Sequence, residues 1–214
     1  MVVHVLERAA SARCVTAVIV ATDDERIAEA VTRAGGQAVM TPSSLPSGSD
    51  RVAWVMRSRS EPLVVNVQGD EPLLDPATID AVVQGMCDAG APVGTASAPL
   101  GDVEAQNPNR VKVVVDSSGR ALYFSRAPIP HGGPYRLHVG LYAWRTEALL
   151  QFAAAPPSAL ERCERLEQLR LLERGVPIQV VPIGAAALSV DTPEDLERIR
   201  ALVGDPPPSL SQGP

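Results

Sequence analysis

Short runs of Val, Ile and Leu alternate along this chain with stretches whose apolar residues recur every three to four positions. The first pattern suits buried strands and the second suits helices that cover a sheet. Their alternation predicts an α/β fold, a single Rossmann-like domain with a mostly parallel sheet. Residues 1–12 read as a helix with Val2, Val5, Leu6 and Ala9 on one face, and a strand follows at 15–21. The turn Thr22-Asp23-Asp24 leads into a helix through Ile27, Ala28, Val31 and Ala34, which Gly35-Gly36 ends. A short strand at 38–40 and a turn-rich loop at 42–48 come next. Asp50 is placed to cap a helix carrying Val52, Val55 and Met56 on one face.

Residues 63–67 form the most strand-like run and end in Gln68-Gly69-Asp70-Glu71-Pro72. Pro76 suits the start of a helix reaching about Asp88, and 93–98 is a further strand. Segments 111–115 and 121–124 flank Asp116-Ser117-Ser118-Gly119, which predicts an antiparallel hairpin inserted in the fold. A strand at 139–144 and a helix at 147–154 follow. Ser158 caps one long amphipathic helix through Leu160, Leu166, Leu169 and Leu172, ended by Gly175. The strand at 178–182 precedes a last helix opening at Asp191-Thr192-Pro193. Residues 1–203 then make one domain, and the proline-rich stretch 204–214 reads as a loose tail.

Composition narrows the partners. Of the 214 residues 45% are hydrophobic, enough for a core of ordinary size. Acidic residues number 25 against 19 basic, so no basic face is offered to nucleic acid or an anionic membrane. Lys112 is the one lysine, which excludes a Gly-Lys-Ser/Thr phosphate loop. Cys14, Cys87 and Cys163 are odd in number and far apart, the usage of reduced thiols in a cytoplasmic protein. No run approaches the roughly 20 apolar residues of a membrane span, and the first residues lack a signal-peptide pattern.

Six stretches could carry chemistry. Asp70 sits in an acidic turn after a strand, where open α/β sheets bind ligands and where a carboxylate can hold Mg²⁺. Asp191 heads the last helix in a second acidic turn; it serves equally well as a plain helix cap. The small-residue loop Ser47-Gly48-Ser49-Asp50-Arg51 runs into a helix and offers backbone N–H groups to an anion or a base edge. Arg126 and His138 suit a ligand carboxylate. Glu167-Gln168 interrupts a leucine stripe on the predicted long helix. Each stretch has a bland alternative as a turn, a cap or a solvated face.

In this order the motifs closely resemble the 3-deoxy-manno-octulosonate cytidylyltransferases. The similar stretches include His4 to Ala9, Val20-Ala21-Thr22-Asp23-Asp24, Ser47 to Arg51, and Asn66-Val67-Gln68-Gly69-Asp70-Glu71-Pro72. They continue with Asn107 to Val114, Tyr123-Phe124-Ser125-Arg126-Ala127-Pro128, His138-Val139-Gly140-Leu141-Tyr142, Glu167-Gln168, and Asp191 to Leu196. The resemblance implies cytidylyl transfer from CTP to the sugar acid 3-deoxy-manno-octulosonate (Kdo), with Mg²⁺ as cofactor and a homodimer as the working form. It implies Asp70 and Asp191 as metal-holding catalytic residues. Ser47, Gly48, Arg51 and Gln68 would line the nucleotide, and Gln68, Arg126, His138, Tyr142, Glu167 and Gln168 the sugar acid. A sialic-acid cytidylyltransferase and a non-catalytic binding module are the rival readings.

The chain also departs from the family. The family opens with a strand and a loop rich in Arg, Ser, Gly and Lys that wraps the triphosphate, whereas Met1 falls where the family's first helix begins. The segment 130–136 is shorter than usual, and Ser49 stands where Thr is the rule. A sheet lacking its first strand and impaired turnover are therefore expected, through a start codon assigned too late or a real truncation.

Overall fold

The computed structural model describes residues 1–190 and 192–203; Asp191 and the expected tail lie outside the described residues. The chain opens with α1 (Val2–Ala10), whose Val5 and Ala9 are buried, as its apolar spacing predicts. Next come β1 (Ile19–Thr22), α2 (Glu25–Arg33) and β2 (Gln37–Met40). Then α3 (Gly48–Met56) leads to β3 (Leu63–Asn66), α4 (Pro76–Asp88), β4 (Val93–Leu100) and the short α5 (Asp102–Ala105). The hairpin is β5 (Lys112–Val115) and β6 (Ala121–Ser125), followed by the long β7 (Tyr135–Arg145). The rest is α6 (Thr146–Ala154), α7 (Ala159–Glu164), α8 (Leu169–Glu173), β8 (Ile178–Pro182) and α9 (Pro193–Val203).

The fold is α/β, but the sheet is mixed rather than mostly parallel. β4 pairs with β8, and β1 with β2, in parallel; β3 and β4 each pair antiparallel with β7, as β5 does with β6 and β7. β3, β4 and β8 do share one direction, as crossover helices require. The difference lies in β7, which returns from the hairpin and wedges between β3 and β4. Apolar runs set which segments are strands but leave open which neighbour each one takes.

Three more expectations change. The strand expected from residue 15 begins at Ile19, and α3 begins at Gly48 with Ser47 as its cap, so that Asp50 sits within the first turn. The long helix expected from Ser158 to Gly175 is broken into α7 and α8. Arg165 stops α7 in the left-handed conformation, φ 55° and ψ 48°.

Strands β1 and β2 form a separate two-stranded sheet. The edges of β1 and β3 both line a cavity of about 370 Å³. Its walls are mostly apolar, with Val20 and Val65 from the strands, Leu6 from α1, Val55 from α3 and Ile79 from α4, beside polar residues such as Arg59 and Asn66. The main core lies on the two faces of the larger sheet: Tyr142 and Trp144 of β7 enter one apolar cluster, Leu141 and Ala143 the other.

Candidate functional site

The loop before α3 owes its shape to a local cap. Ser47 Oγ accepts from the Asp50 N–H at 3.2 Å and donates to Asp50 Oδ2 at 2.8 Å. This satisfies helix N–H groups and holds residues 47–51 in place. Gly48 lies over β3, where an added Cβ would stand 3.8 Å from the Asn66 and Gln68 side chains. Arg51 points back to β1 and β2, paired with Asp23 at 3.3 Å and donating to Thr41 Oγ1. Gly48, Arg51 and Gln68 line the mouth of the apolar cavity.

Gln68 and Asp70 follow directly from β3, and Gln68 Nε2 reaches Gly140 O of β7 at 3.5 Å. The Val190 N–H donates to Asp70 O at 2.9 Å. That bond ties Val190 to the turn that carries Asp70, although 120 residues part the two in sequence. Among the described residues no group of three or more His, Cys, Asp and Glu could hold a metal. The chemistry of Asp70, a carboxylate in a turn at the end of a strand, is of the kind that Mg²⁺ takes beside phosphates and waters.

His138 and Tyr142 come from β7 at a register shift against β4 between Thr95 and Ala96. The Thr95 hydroxyl fills the broken ladder, donating to Leu141 O at 2.8 Å. Its single proton is thereby spent, and at 3.0 Å from His138 Nε2 its oxygen accepts from the ring. His138 thus keeps Nδ1 as an acceptor. Packed against Phe124 and Tyr142, the imidazole is pushed by burial down to about 3. It is neutral at ordinary pH, an acceptor for a ligand hydroxyl rather than the cation a carboxylate would want. Burial first, and then the Glu167 charge, hold the Tyr142 phenol well above its usual range.

Arg126 is held by three backbone carbonyls: Nε to Glu164 O at 2.9 Å, Nη1 to Pro108 O at 3.0 Å and Nη2 to Arg165 O at 3.3 Å. Three of roughly five guanidinium N–H donors are so engaged, which leaves the rest for an anion. Glu167 and Gln168 lie in the link between α7 and α8, turned inward by the break at Arg165. Ser49 Oγ donates to Glu167 Oε1 at 2.6 Å, while Glu167 Oε2 and the Gln168 amide nitrogen are buried without a partner. Unsatisfied buried polar atoms beside a site are costly unless a ligand completes them.

The loop at 47–51, the Gln68–Asp70 turn, β7 and the Glu167 link are thus in contact. Arg126 stands off on the hairpin side, fixed to Glu164 and Arg165. Ser49 and Asn66 stood in candidate motifs without a role of their own, and Thr95 was not singled out; a hydroxyl within a strand is too common a signal to stand out.

The family described as cytidylyltransferase matches residues 1–178. The chain is 48% identical to the 3-deoxy-manno-octulosonate cytidylyltransferase of Syntrophotalea carbinolica, covering 94% of this chain and 87% of that protein. It is 50% identical to the enzyme of that name from Anaeromyxobacter dehalogenans strain 2CP-C, with 95% and 86% covered. A solved structure of CMP:2-keto-3-deoxy-manno-octonic acid synthetase complexed with CTP superposes with a TM-score of 0.89 at 42% identity, over 94% of this chain and 86% of that one. With a family match over most of its length, close relatives and the same fold, the chain belongs to the cytidylyltransferases, among the 3-deoxy-manno-octulosonate cytidylyltransferases.

Proposed function

We propose that this protein transfers a cytidylyl group from CTP to Kdo, giving CMP-Kdo and pyrophosphate for lipopolysaccharide synthesis. The observation that supports this reading is the Val190–Asp70 hydrogen bond, which ties the residue before Asp191 to the turn that carries Asp70. The anomeric hydroxyl of Kdo attacks the α-phosphorus in line; an O–P bond forms as the hydroxyl proton passes to water, the bond to the β-phosphate breaks, and pyrophosphate leaves with the electron pair. There is little covalent chemistry for the protein to perform, so its tasks are positioning and charge neutralisation. Asp70 and Asp191 hold Mg²⁺, which when bound neutralises phosphate charge beside the attacking oxygen. Ser47, Gly48, Arg51 and Gln68 border the nucleotide. Gln68, Arg126, His138, Tyr142, Glu167 and Gln168 border the sugar acid, with Arg126 nearest in chemistry to its carboxylate.

Residues 1–203 act as one nucleotidyltransferase unit in the cytoplasm, working as a homodimer through the hairpin region, for which sedimentation is the check. By itself the chain turns over slowly. Its one lysine is fully buried, with Nζ donating to Asn107 O and Arg126 O, and Arg51 is already paired with Asp23. Neither is free to cradle the β- and γ-phosphates, and loss of one such donor costs about 10²–10³ in rate.

Pyrophosphate release from CTP, with Kdo and with sialic acid offered in turn, tests the reaction. Release with Kdo but not with sialic acid is expected; preference for sialic acid would point to the rival transferase. Kdo binding without any release would favour a non-catalytic binding module. Turnover by this chain should fall below the roughly 1–10³ s⁻¹ usual for enzymes, and a rate within that range would refute slow turnover. Asp70→Asn should cut Mg²⁺-dependent release at least about 10²-fold, and an unimpaired variant would sink the metal assignment.

A further inference from the structure

Ser49 is buried to 0% exposure in the first turn of α3, between residues proposed for the nucleotide. Its hydroxyl does not cap the helix, because Ser47 does so, and its recorded partners are side chains rather than the carbonyl four residues back that helical serines often take. Instead Ser49 Oγ accepts from Asn66 Nδ2 at 3.3 Å and donates to Glu167 Oε1 at 2.6 Å. A hydroxyl has one proton to give, so the amide of Asn66 fixes that proton on Glu167. Asn66 ends β3 and is itself buried. Three elements are thereby joined through side chains at one point, with Ser49 and Glu167 lying 118 residues apart.

We propose that Ser49, oriented by Asn66, is a positioning residue that sets the Glu167 carboxylate for the sugar acid. The inference rests on the reading of Glu167 and Gln168 as sugar-acid residues. With Oε1 held by Ser49, the buried Oε2 of Glu167 is turned to accept from a ligand hydroxyl, and the neighbouring Gln168 amide nitrogen is left to donate. A bond from a neutral donor to a buried carboxylate is among the stronger kinds, and removing the donor leaves the charge poorly solvated.

The test is calorimetric titration of Kdo, and separately of CTP, into the full chain and its variants. Ser49→Ala should weaken Kdo about tenfold or more while changing CTP affinity less than about twofold. Ser49→Thr, which keeps the hydroxyl, should restore Kdo affinity. Asn66→Ala should give a smaller loss in the same direction, and it carries the test if Ser49→Ala does not fold. A thermal melt of each variant separates folding from binding, since a purely structural role would lower stability and weaken both ligands together. Equal Kdo binding by the unaltered chain and Ser49→Ala overturns the inference alone, as does equal weakening of both ligands. Absence of Kdo binding by the unaltered chain, with CTP bound, overturns the sugar-acid reading and this inference with it.

Discussion

His138 holds no charge at neutral pH, because its ring is enclosed by Phe124 and Tyr142 and its Nε2–H is spent on Thr95. In the unfolded chain the imidazole takes a proton as pH falls through its usual 6.5, whereas in the folded protein it resists until about 3. Between those values the unfolded state binds the additional proton, so stability falls as pH falls. The unfolding constant should change at most about tenfold per pH unit from this group. Denaturant titrations at about pH 5, 6 and 7, above most carboxylate titration, should show a slope that His138→Gln flattens. Equal slopes in the two proteins would refute the assignment. In sequence this residue suggests a cation for a carboxylate; its enclosure makes it a neutral acceptor, and no local pattern announces that enclosure.

At the scale of elements, the break between α7 and α8 puts Glu167 and Gln168 into the site. Ser158 and Glu161 form a reciprocal cap, and Arg170 closes on Glu161 at 2.5 Å while lying 4.2 Å over the Phe152 ring. These contacts anchor the helix on either side of the link, and Arg165 takes up the turn in a left-handed conformation. That conformation costs a non-glycine residue about 1–2 kcal/mol, and a β-branched residue more. Arg165→Gly should therefore melt at or above the parent, and Arg165→Val about 1–2 kcal/mol less stable in denaturant titration. A Val variant as stable as the Gly variant would contradict this account. A leucine stripe at helical spacing predicts a continuous helix because it records burial alone. Leu166, Leu169 and Leu171 are indeed buried, but across a bend.

Across the whole molecule, the sheet falls into two unequal parts. β7 is held on both sides, by β4 along eight residue pairs and by β3 along four. β1 has β2 alone, and its other edge faces the apolar cavity. An isolated two-stranded sheet is marginal in water, and open edges invite pairing with other chains. Amides of β1 and β2 should exchange hydrogen far faster than those of β4, by about 10²-fold or more, through local opening. Comparable protection of the two sheets would mean that the β1–β2 pair is as firmly held as the larger sheet. Strand identity was readable from the Val-rich runs; the gap was foreshadowed only by the departure from the family at the front of the chain.

What the amino-acid order determined by itself is local or compositional. It set the helices and strands, the hairpin at Asp116 to Gly119, the lysine-poor acidic surface, and the motif order that marks the family. These follow from spacing and residue type within a few positions, which the chain carries wherever it folds. The tertiary structure decided what depends on distant partners. It placed β7 antiparallel between β3 and β4, bent the chain at Arg165, drew Val190 onto Asp70, and set the Ser49 hydroxyl on Glu167. Such contacts join segments up to 120 residues apart, and each is chosen by the packing of the whole core rather than by any run of neighbours.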